Sequence, residues 1–241
     1  FFFKQKTAYE IPKRDWSSDV CSSDLEQRLG VAPADISICT PGAPPWAPRR
    51  TEPDAGYILF FGTLEPRKNV GVLLDAYERF ICGGPASAGL SKLVLAGATP
   101  PDAAPLIART TTAPLAGHVE VRGYVSPDDR EALYRGAVML VMPSHTEGFG
   151  LPALEAMTVG VPVIAANRGA LPDVVGDAGL LVEPDATALA DAMARLASDP
   201  TLRGRLREAA WTRARRFQWS ESAALAREGW HKAVERRRRR G

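Results

Sequence analysis

Two acidic residues flank a glycine-rich turn in the stretch SHTEGFGLPALEAM, residues 144–157. Glu147 lies before the turn and Glu155 lies eight residues later. A pair of carboxylates can accept hydrogen bonds from the vicinal hydroxyl groups of a sugar or a ribose. Taken singly, Glu155 is explained as an acid that complements a helix dipole, and Glu147 as a solvated loop acid. Their placement on either side of the turn favours a shared polar pocket.

The residues around this pair follow a strand, loop and helix pattern. The apolar run VMLVMPS (138–144) predicts a strand, HTEGFG (145–150) the loop at its carboxyl end, and LPALEAMTVG (151–160) a helix. Pro152 stands near the first turn of that helix, where proline is tolerated. The first amides of a helix have no partner inside it and can bind an anion. We therefore expect the acids and an anion site above one strand end.

A second stretch, FFGTLEPRKNV at residues 60–70, has the same order of strand end, glycine loop and helix start. It carries Arg67 and Lys68 shortly after Gly62 and Thr63. A guanidinium makes forked contacts with phosphate and an ammonium acts as a point charge, so the two cations suit a diphosphate. A solvated basic pair is the plainer explanation, but the dipole at a helix start disfavours cations. That unfavourable position favours ligand binding.

The acidic stretch also fits a different class of enzyme. Gly148, Gly150 and Ala153 match the G-x-G-x-x-G/A fingerprint of dinucleotide-binding proteins, which predicts an NAD-dependent oxidoreductase. In that fingerprint the glycines belong to the tight turn after the first strand, whereas here they come well after a strand that lies late in the chain. Asp173 is a weak candidate for the acid that would bind the ribose. The oxidoreductase therefore stays a distant alternative.

Six short apolar runs bounded by glycine or proline predict buried strands. They are residues 56–62, 92–98, 118–123, 138–144, 161–166 and 179–184. Strands that alternate with helices predict an α/β fold with a doubly wound, six-stranded parallel sheet. Ligands of such sheets bind outside the carboxyl ends of the strands, where both stretches described above would lie.

Amphipathic helices are predicted between these strands and after them. Residues 69–80 and 126–137 have helical spacing, and the second opens with a Ser126 cap. The apolar face of the first comprises Val70, Leu73, Leu74, Tyr77 and Ile81. Residues 185–235 are predicted to form closing helices, with breaks near Pro200 and near 218–220.

The chain divides into four segments by composition. Residues 1–25 lack a clean period of two or 3.6, and their reverse translation resembles a sequencing-library adapter, so we interpret them as an artefact rather than a genuine N-terminal arm. Residues 26–55, rich in proline, are interpreted as the remnant of an interdomain linker. Residues 56–235 form the predicted domain, and residues 236–241 a basic tail.

Composition and motifs argue against a membrane-spanning protein, a protein with a signal peptide and a metal-binding protein. The net charge of +2 and the hydrophobic content of 45% are ordinary for a globular domain. No run of eighteen apolar residues and no signal peptide are visible in the sequence, which predicts a cytoplasmic location. The three cysteines lack metal-ligand spacing, and neither a D-x-D motif nor clustered histidines occur, so no metal site is predicted.

Together the motifs resemble the C-terminal, nucleotide-sugar-binding domain of retaining glycosyltransferases of family 4, which have the GT-B fold with a Rossmann-like sheet. The resemblance covers roughly residues 40–233. It rests on GTLEPRKN, on GYVSPDDREALYRGA, on the E-x7-E segment with EGFGLP between the acids, and on ARRFQWSESA.

The resemblance also implies roles for the candidate residues. Arg67 and Lys68 would bind the diphosphate, near Gly62 and Thr63, and Glu155 would bind the ribose. The donor sugar would be bound by Glu147 and the backbone of Gly148, Phe149, Gly150 and Leu151, and the base would lie near Tyr124 and Val125. Thr63 departs from the pattern, because many members carry arginine just after the first glycine.

A reaction follows from the same resemblance. A hexose, with mannose favoured, would pass from GDP-mannose or a UDP-sugar to a glycan or lipid-linked acceptor without a cofactor. The acceptor would be bound by a missing N-terminal domain, so this half alone would be inactive. A nonenzymatic nucleotide-sugar-binding module remains the alternative. The terminal arginines predict a peripheral contact with anionic membrane or a solvated, frayed helix end, and no nucleic-acid partner is expected.

Overall fold

The computed structural model describes residues 26–27, 29–53, 55–84, 90 and 92–240. The adapter-like segment, residues 1–25, lies outside the described residues, as does Gly241. Within the described part, one sheet and the helices that cover it form an α/β domain.

The sheet contains six parallel strands, which confirms the prediction of fold class. They are β1 (Tyr57–Phe61), β2 (Leu93–Ala96), β3 (Val119–Gly123), β4 (Ala137–Met142), β5 (Val163–Ala166) and β6 (Leu180–Val182). The spatial order is β3-β2-β1-β4-β5-β6. The chain first builds outward from β1 in one direction and then returns to its other side at β4. The switch point of the sheet, where the strand order reverses, therefore lies between β1 and β4. Doubly wound sheets bind ligands at such a point.

Eight α-helices lie within the described residues. They are α1 (Val70–Cys82), α2 (Ala104–Thr110), α3 (Pro127–Arg135), α4 (Leu151–Thr158), α5 (Leu171–Val175), α6 (Ala186–Ser198), α7 (Pro200–Ala214) and α8 (Trp219–Arg240). The predicted cap of α3 is confirmed, because the Ser126 side chain accepts a hydrogen bond from the Asp129 amide. On α1, the predicted apolar face packs against the core, with Ile81 half-buried at its end, and Phe80 is a further buried residue of this helix. The sequence did not predict α2 or α5.

Alternation along the strands divides the core between the two faces of the sheet. Ile58 and Phe60 pack into the cluster that also contains the inner faces of α1 and α6. Leu59 packs into the opposite cluster, to which α3, α4, α5 and α7 contribute. Side chains of successive strand residues point to opposite faces, so a sheet covered on both sides needs apolar residues at every position. The fully buried strands β2, β4 and β5 have this composition.

The segment before β1 packs on the domain. The main-chain amide of Arg49 donates to the Val159 carbonyl at 3.0 Å, and its buried guanidinium donates to the Ala137 carbonyl. Burial lowers the pKa of Arg49 to about 10. Ala43 donates its amide to the Phe217 carbonyl at 2.8 Å. The proline-rich segment is therefore tied to the start of β4 and to the helices beside it.

At the other end of the chain, α8 runs through the arginines to Arg240, so basic residues 236–240 are helical. Its Trp219 and Trp230 are exposed. None of the described helices combines the length and the apolar character needed to cross a membrane.

Candidate functional site

The loop after β1 is built to hold its two cations close to the sheet. Pro66–Lys68 form one turn of 3-10 helix, and Asn69 then takes a left-handed conformation with φ 54° before α1 begins. The Asn69 side-chain amide donates to the carbonyls of Pro143, at 3.1 Å, and Pro184, at 3.2 Å. These bonds join the loop after β1 to the loops after β4 and β6, and so fix where Lys68 lies.

Glu147 is the centre of a buried polar cluster between β1 and β4. Its carboxylate accepts hydrogen bonds from Lys68 Nζ at 2.5 Å and Ser144 Oγ at 2.6 Å, both on Oε1. Arg67 Nη1 contacts Oε2 at 3.2 Å. Glu147 and Lys68 are only 5% and 8% exposed, so their charges are largely removed from water and depend on each other. The structure thus brings together Arg67, Lys68 and Glu147.

Arg67 is more open than Lys68 and has further partners. Its guanidinium donates to the Thr146 carbonyl at 2.8 Å and to Glu65 Oε1 at 2.7 Å. Its own carbonyl accepts from the His145 amide at 3.0 Å. The side chain remains about one-third exposed. One face of this guanidinium is therefore fixed by protein groups while the residue keeps access to solvent.

The start of α4 lies directly beside this cluster. Gly150 has φ 99°, and a Cβ placed there would lie 2.8 Å from Leu171, so the turn into the helix requires glycine. The Phe149 side chain is buried and packs edge-to-face on Phe217, with ring centroids 5.6 Å apart. Only the backbone of Phe149 can therefore face a ligand. Gly148 and the half-exposed Leu151 complete the turn.

Glu155 has a different set of partners from Glu147. Its Oε1 accepts from Arg130 Nη1 at 3.0 Å, and its Oε2 accepts from the Tyr134 hydroxyl at 2.7 Å. Burial, and next the Glu155 carboxylate, raise the pKa of Tyr134 well above its ordinary value. Sequence reasoning missed Arg130 and Tyr134, although their spacing of four residues places them on one face of α3. The predicted acidic pair is therefore divided between two clusters.

Glycines end the three strands on the other side of the switch point. Gly62, Gly97 and Gly123 follow or close β1, β2 and β3, and hydrogen bonds connect Gly62 to Ala96 and Gly97 to Gly123. A Cβ on Gly97 would lie 2.0 Å from the Gly62 carbonyl oxygen. These loops can pack this closely only because side chains are absent.

The other predicted residues lie in the loops after β1 and β3. Thr63 is half-buried directly after Gly62. Tyr124 is 76% exposed, whereas Val125 is buried in the core. Most predicted site residues thus lie in the loops after the carboxyl ends of β1, β3 and β4. Leu151 is the first residue of α4, and Glu155 lies one helical turn after it.

The glycines that match the dinucleotide fingerprint do not lie in the turn after the first strand, where dinucleotide-binding proteins have them. Gly148, Gly150 and Ala153 follow β4, not β1, and Gly148 is separated from the end of that strand by a five-residue loop, 143–147. The turn after β1 carries Gly62 and Thr63 instead. Within the described part of the chain, no group of three or more His, Cys, Asp or Glu residues is arranged to hold a metal ion.

Comparisons with known proteins identify relatives of this domain. The chain is 37% identical over 166 residues to O-antigen chain mannosyltransferase B of Escherichia coli, covering 68% of this chain and 42% of that protein. It is 34% identical over 220 residues to D-inositol 3-phosphate glycosyltransferase of Corynebacterium efficiens, covering 83% and 52%. The chain therefore spans about half the length of these curated relatives.

Solved structures share the architecture. Sucrose-phosphate synthase from Thermosynechococcus elongatus matches 89% of this chain and 56% of its own at a TM-score of 0.74 and 24% identity. The C-terminal domain of a glycosyl transferase group 1 family protein from Francisella tularensis matches 69% of this chain and 92% of its own. Its TM-score is 0.59 and its sequence identity is 26%. The sheet is that of the GT-B fold. The family model for glycosyl transferases group 1 matches residues 47–213, and the chain belongs to this family of enzymes.

Proposed function

We propose that this chain is the donor-binding half of a retaining glycosyltransferase of family 4, which transfers a hexose from a nucleotide diphosphate sugar. The observation that carries the proposal is the buried cluster of Lys68, Arg67 and Glu147 at the switch point between β1 and β4. A diphosphate needs cations, and a sugar needs acceptors for its hydroxyl groups. Both are present here in one place.

The cations account for the chemistry. Breaking the anomeric bond leaves negative charge on the departing diphosphate, and groups fixed in advance stabilise that charge more than they stabilise the bound donor. Arg67 and Lys68 are held in position by Glu147, by Thr146 and by the backbone around Asn69. The amides at the start of α4 add partial positive charge. We infer a reaction that uses these groups and needs no metal ion or cofactor.

Glu147 would change partners when the donor binds. As the phosphate oxygens attract Arg67, Oε2 of Glu147 becomes free to accept from hydroxyls of the donor sugar, while Lys68 stays within reach of Oε1 and of the phosphate. The amides of Gly148, Phe149, Gly150 and Leu151 border the same space. Lys68 therefore serves both ligand and carboxylate, which keeps the buried charges compensated in either state.

The size of the strand edge suits a nucleotide. Adjacent strands are about 4.8 Å apart, so the ends of β3 and β4, three steps apart, are separated by about 14 Å. We assign the base to Tyr124 and the backbone of Val125 after β3, the ribose to Glu155, and the diphosphate to the loops at Gly62, Thr63 and Lys68. This assignment puts the diphosphate between the base, after β3, and the donor sugar, after β4, while the ribose site on α4 faces α3, the helix that follows β3.

The rest of the reaction rests on the relatives. GDP-mannose is our favoured donor because the relative from Escherichia coli is named a mannosyltransferase, and UDP-sugars come second. We assign the glycan or lipid-linked acceptor to an N-terminal domain outside this chain. We place the protein in the cytoplasm, with its basic C-terminal end (236–240) solvated, and a peripheral contact of this end with anionic membrane is the alternative.

Calorimetry with GDP-mannose, UDP-glucose, GDP and UDP tests donor binding. At least one should bind, and Lys68→Met should weaken that binding about tenfold, the loss expected for one charge-assisted hydrogen bond. Lys92→Met is the matched control. Lys92 lies directly before β2 and forms an ion pair with Glu120 of β3, away from the site. A folded chain that binds none of the four ligands contradicts the proposal.

A second measurement separates the enzyme from a binding module. A longer gene product that includes the N-terminal domain proposed above should transfer the sugar to an acceptor. The present chain should not do so efficiently. Binding without transfer by the longer protein would identify a nonenzymatic nucleotide-sugar-binding module.

A further inference from the structure

The carboxylate of Glu155 is held by residues other than Arg67 and Lys68. It is 8% exposed, and each of its oxygens accepts one hydrogen bond from α3. A carboxylate oxygen has two lone pairs, so each oxygen can accept once more. The bonds from Arg130 and Tyr134 fix the plane of the carboxylate and hence the directions of the two remaining lone pairs.

Tyr134 is itself held rigidly. Its side chain is fully buried, and its ring packs on Phe61, at 5.6 Å between centroids, and on Trp46, at 5.9 Å. Phe61 is the last residue of β1, and Trp46 belongs to the segment that enters the domain. The hydroxyl is therefore presented from a fixed ring, and the raised pKa of Tyr134 keeps it a donor.

Arg130 completes this support from the other side. Its guanidinium lies over the Phe61 ring at 5.5 Å, an arrangement that stabilises a cation. Its Nε is buried without a hydrogen-bond partner among the described residues, so the salt bridge to Glu155 is the contact that compensates the charge. Arg130 and Glu155 each lie within the first turns of their helices, α3 and α4, which begin at the carboxyl edge of the sheet.

We propose that Tyr134, assisted by Arg130, is a positioning residue that aims Glu155 at the two vicinal hydroxyls of the nucleotide ribose, so that this network sets the selectivity for ribose over deoxyribose. The inference rests on the proposed function, since it deepens the assignment of the ribose to Glu155. Tyr134 acts through the carboxylate and need not touch the ligand.

The test compares GDP and UDP with their 2′-deoxy counterparts on the 241-residue chain. We expect the wild type to prefer the ribonucleotide at least roughly tenfold, as loss of one hydrogen bond to a charged group implies. Tyr134→Phe should bring that ratio close to one, because the freed carboxylate no longer holds its direction. Inorganic pyrophosphate should bind the variant as it binds the wild type, since Arg67 and Lys68 are unchanged.

Tyr77→Phe is the matched control. Tyr77 is also fully buried and donates its hydroxyl to a carbonyl, that of His118, but it packs in the cluster on the opposite face of the sheet. This variant should lower stability and keep the ribose preference. If Tyr134→Phe fails to fold, Arg130→Met at a partly exposed position should show the same loss of preference.

The outcomes separate the inference from the proposed function. A folded wild type that binds neither ribonucleotide overturns the proposed function. Binding with no preference for ribose, or a preference that survives both Tyr134→Phe and Arg130→Met, overturns only the role of this network. A preference lost in both variants and kept in Tyr77→Phe supports it.

Discussion

Glu147 and Lys68 depend on each other unequally. Lys68 Nζ has its ion pair with Glu147, while Glu147 also accepts from Arg67 and Ser144. Removing one member of a buried pair leaves the other as an uncompensated charge. The cost should therefore be larger when the acid is lost than when the lysine is lost.

This asymmetry can be measured by urea unfolding. Glu147→Gln should lower the free energy of unfolding by about 3 kcal/mol, because Lys68 then remains buried without a counter-charge. Lys68→Met should lower it by about 1 kcal/mol, because Glu147 keeps two donors. Equal costs, or a larger cost for Lys68→Met, would refute this account of the cluster.

An exposed pair provides the control for that experiment. Arg168 and Glu183 form a salt bridge at 2.6 Å with more than half of each side chain exposed. Glu183→Gln should change stability by no more than about 0.5 kcal/mol, since solvent screens such pairs.

At the level of elements, the ends of β1 and β2 lie very close together. This approach is possible because Gly97 has no side chain. This residue has φ 134°, a conformation that residues with a Cβ rarely adopt, and its amide bonds the Gly123 carbonyl at 2.7 Å. The close approach of Gly97 to Gly62 determines where the loop carrying the cations leaves the sheet. Stability and ligand binding are thus linked at this position.

Gly97→Ala tests that link. The added Cβ meets the backbone of Gly62, which cannot rotate away as a side chain could, so stability should fall by at least about 2 kcal/mol. Binding of the nucleotide sugar should weaken in the same variant, as read by thermal unfolding and calorimetry.

Gly204→Ala is the matched substitution within α7. A Cβ on Gly204 meets nothing within 4 Å, and alanine is the better helix former by about 1 kcal/mol. This variant should be more stable than the wild type. If Gly97→Ala were equally well tolerated, the close approach of the two loops would not matter.

At the level of the whole molecule, the segment before β1 behaves as part of the domain. Arg49 reaches the first carbonyl of β4 and the Arg135 carbonyl at 3.4 Å, at the end of α3. The C-terminal end of a helix carries partial negative charge, which favours a cation there. This contact lies at the start of β4, at the opposite edge of the sheet from the cluster around Glu147.

Arg49→Ala should release this segment from the domain. Hydrogen exchange should become faster at the amides of Ala43, Trp46 and Ala47 while the central strands stay protected, and stability should fall by about 2 kcal/mol. Arg50→Ala is the control, because Arg50 is the exposed neighbour. Unchanged exchange in Arg49→Ala would show that the segment is held by other contacts.

The sequence alone predicted the six strands, the helices α1, α3 and α4, the closing helices and the composition of the loops. The six strands were predictable because a sheet covered on both faces needs short, uninterrupted apolar runs, and glycine or proline marks their ends. The cap of α3 was predictable from Ser126. The seven residues of α2 were not, because so short a segment, with Pro105 in its first turn, shows no helical period.

Which charged residues meet depends on the tertiary structure. Lys68 and Glu147 are 79 residues apart, and they touch because β1 lies beside β4 in the sheet. Glu155 lies one helical turn inside α4, on the side that faces α3, and therefore joins Arg130 and Tyr134 instead. Strand order and helix packing are set by interactions between distant segments, so local patterns in the sequence do not encode these pairings.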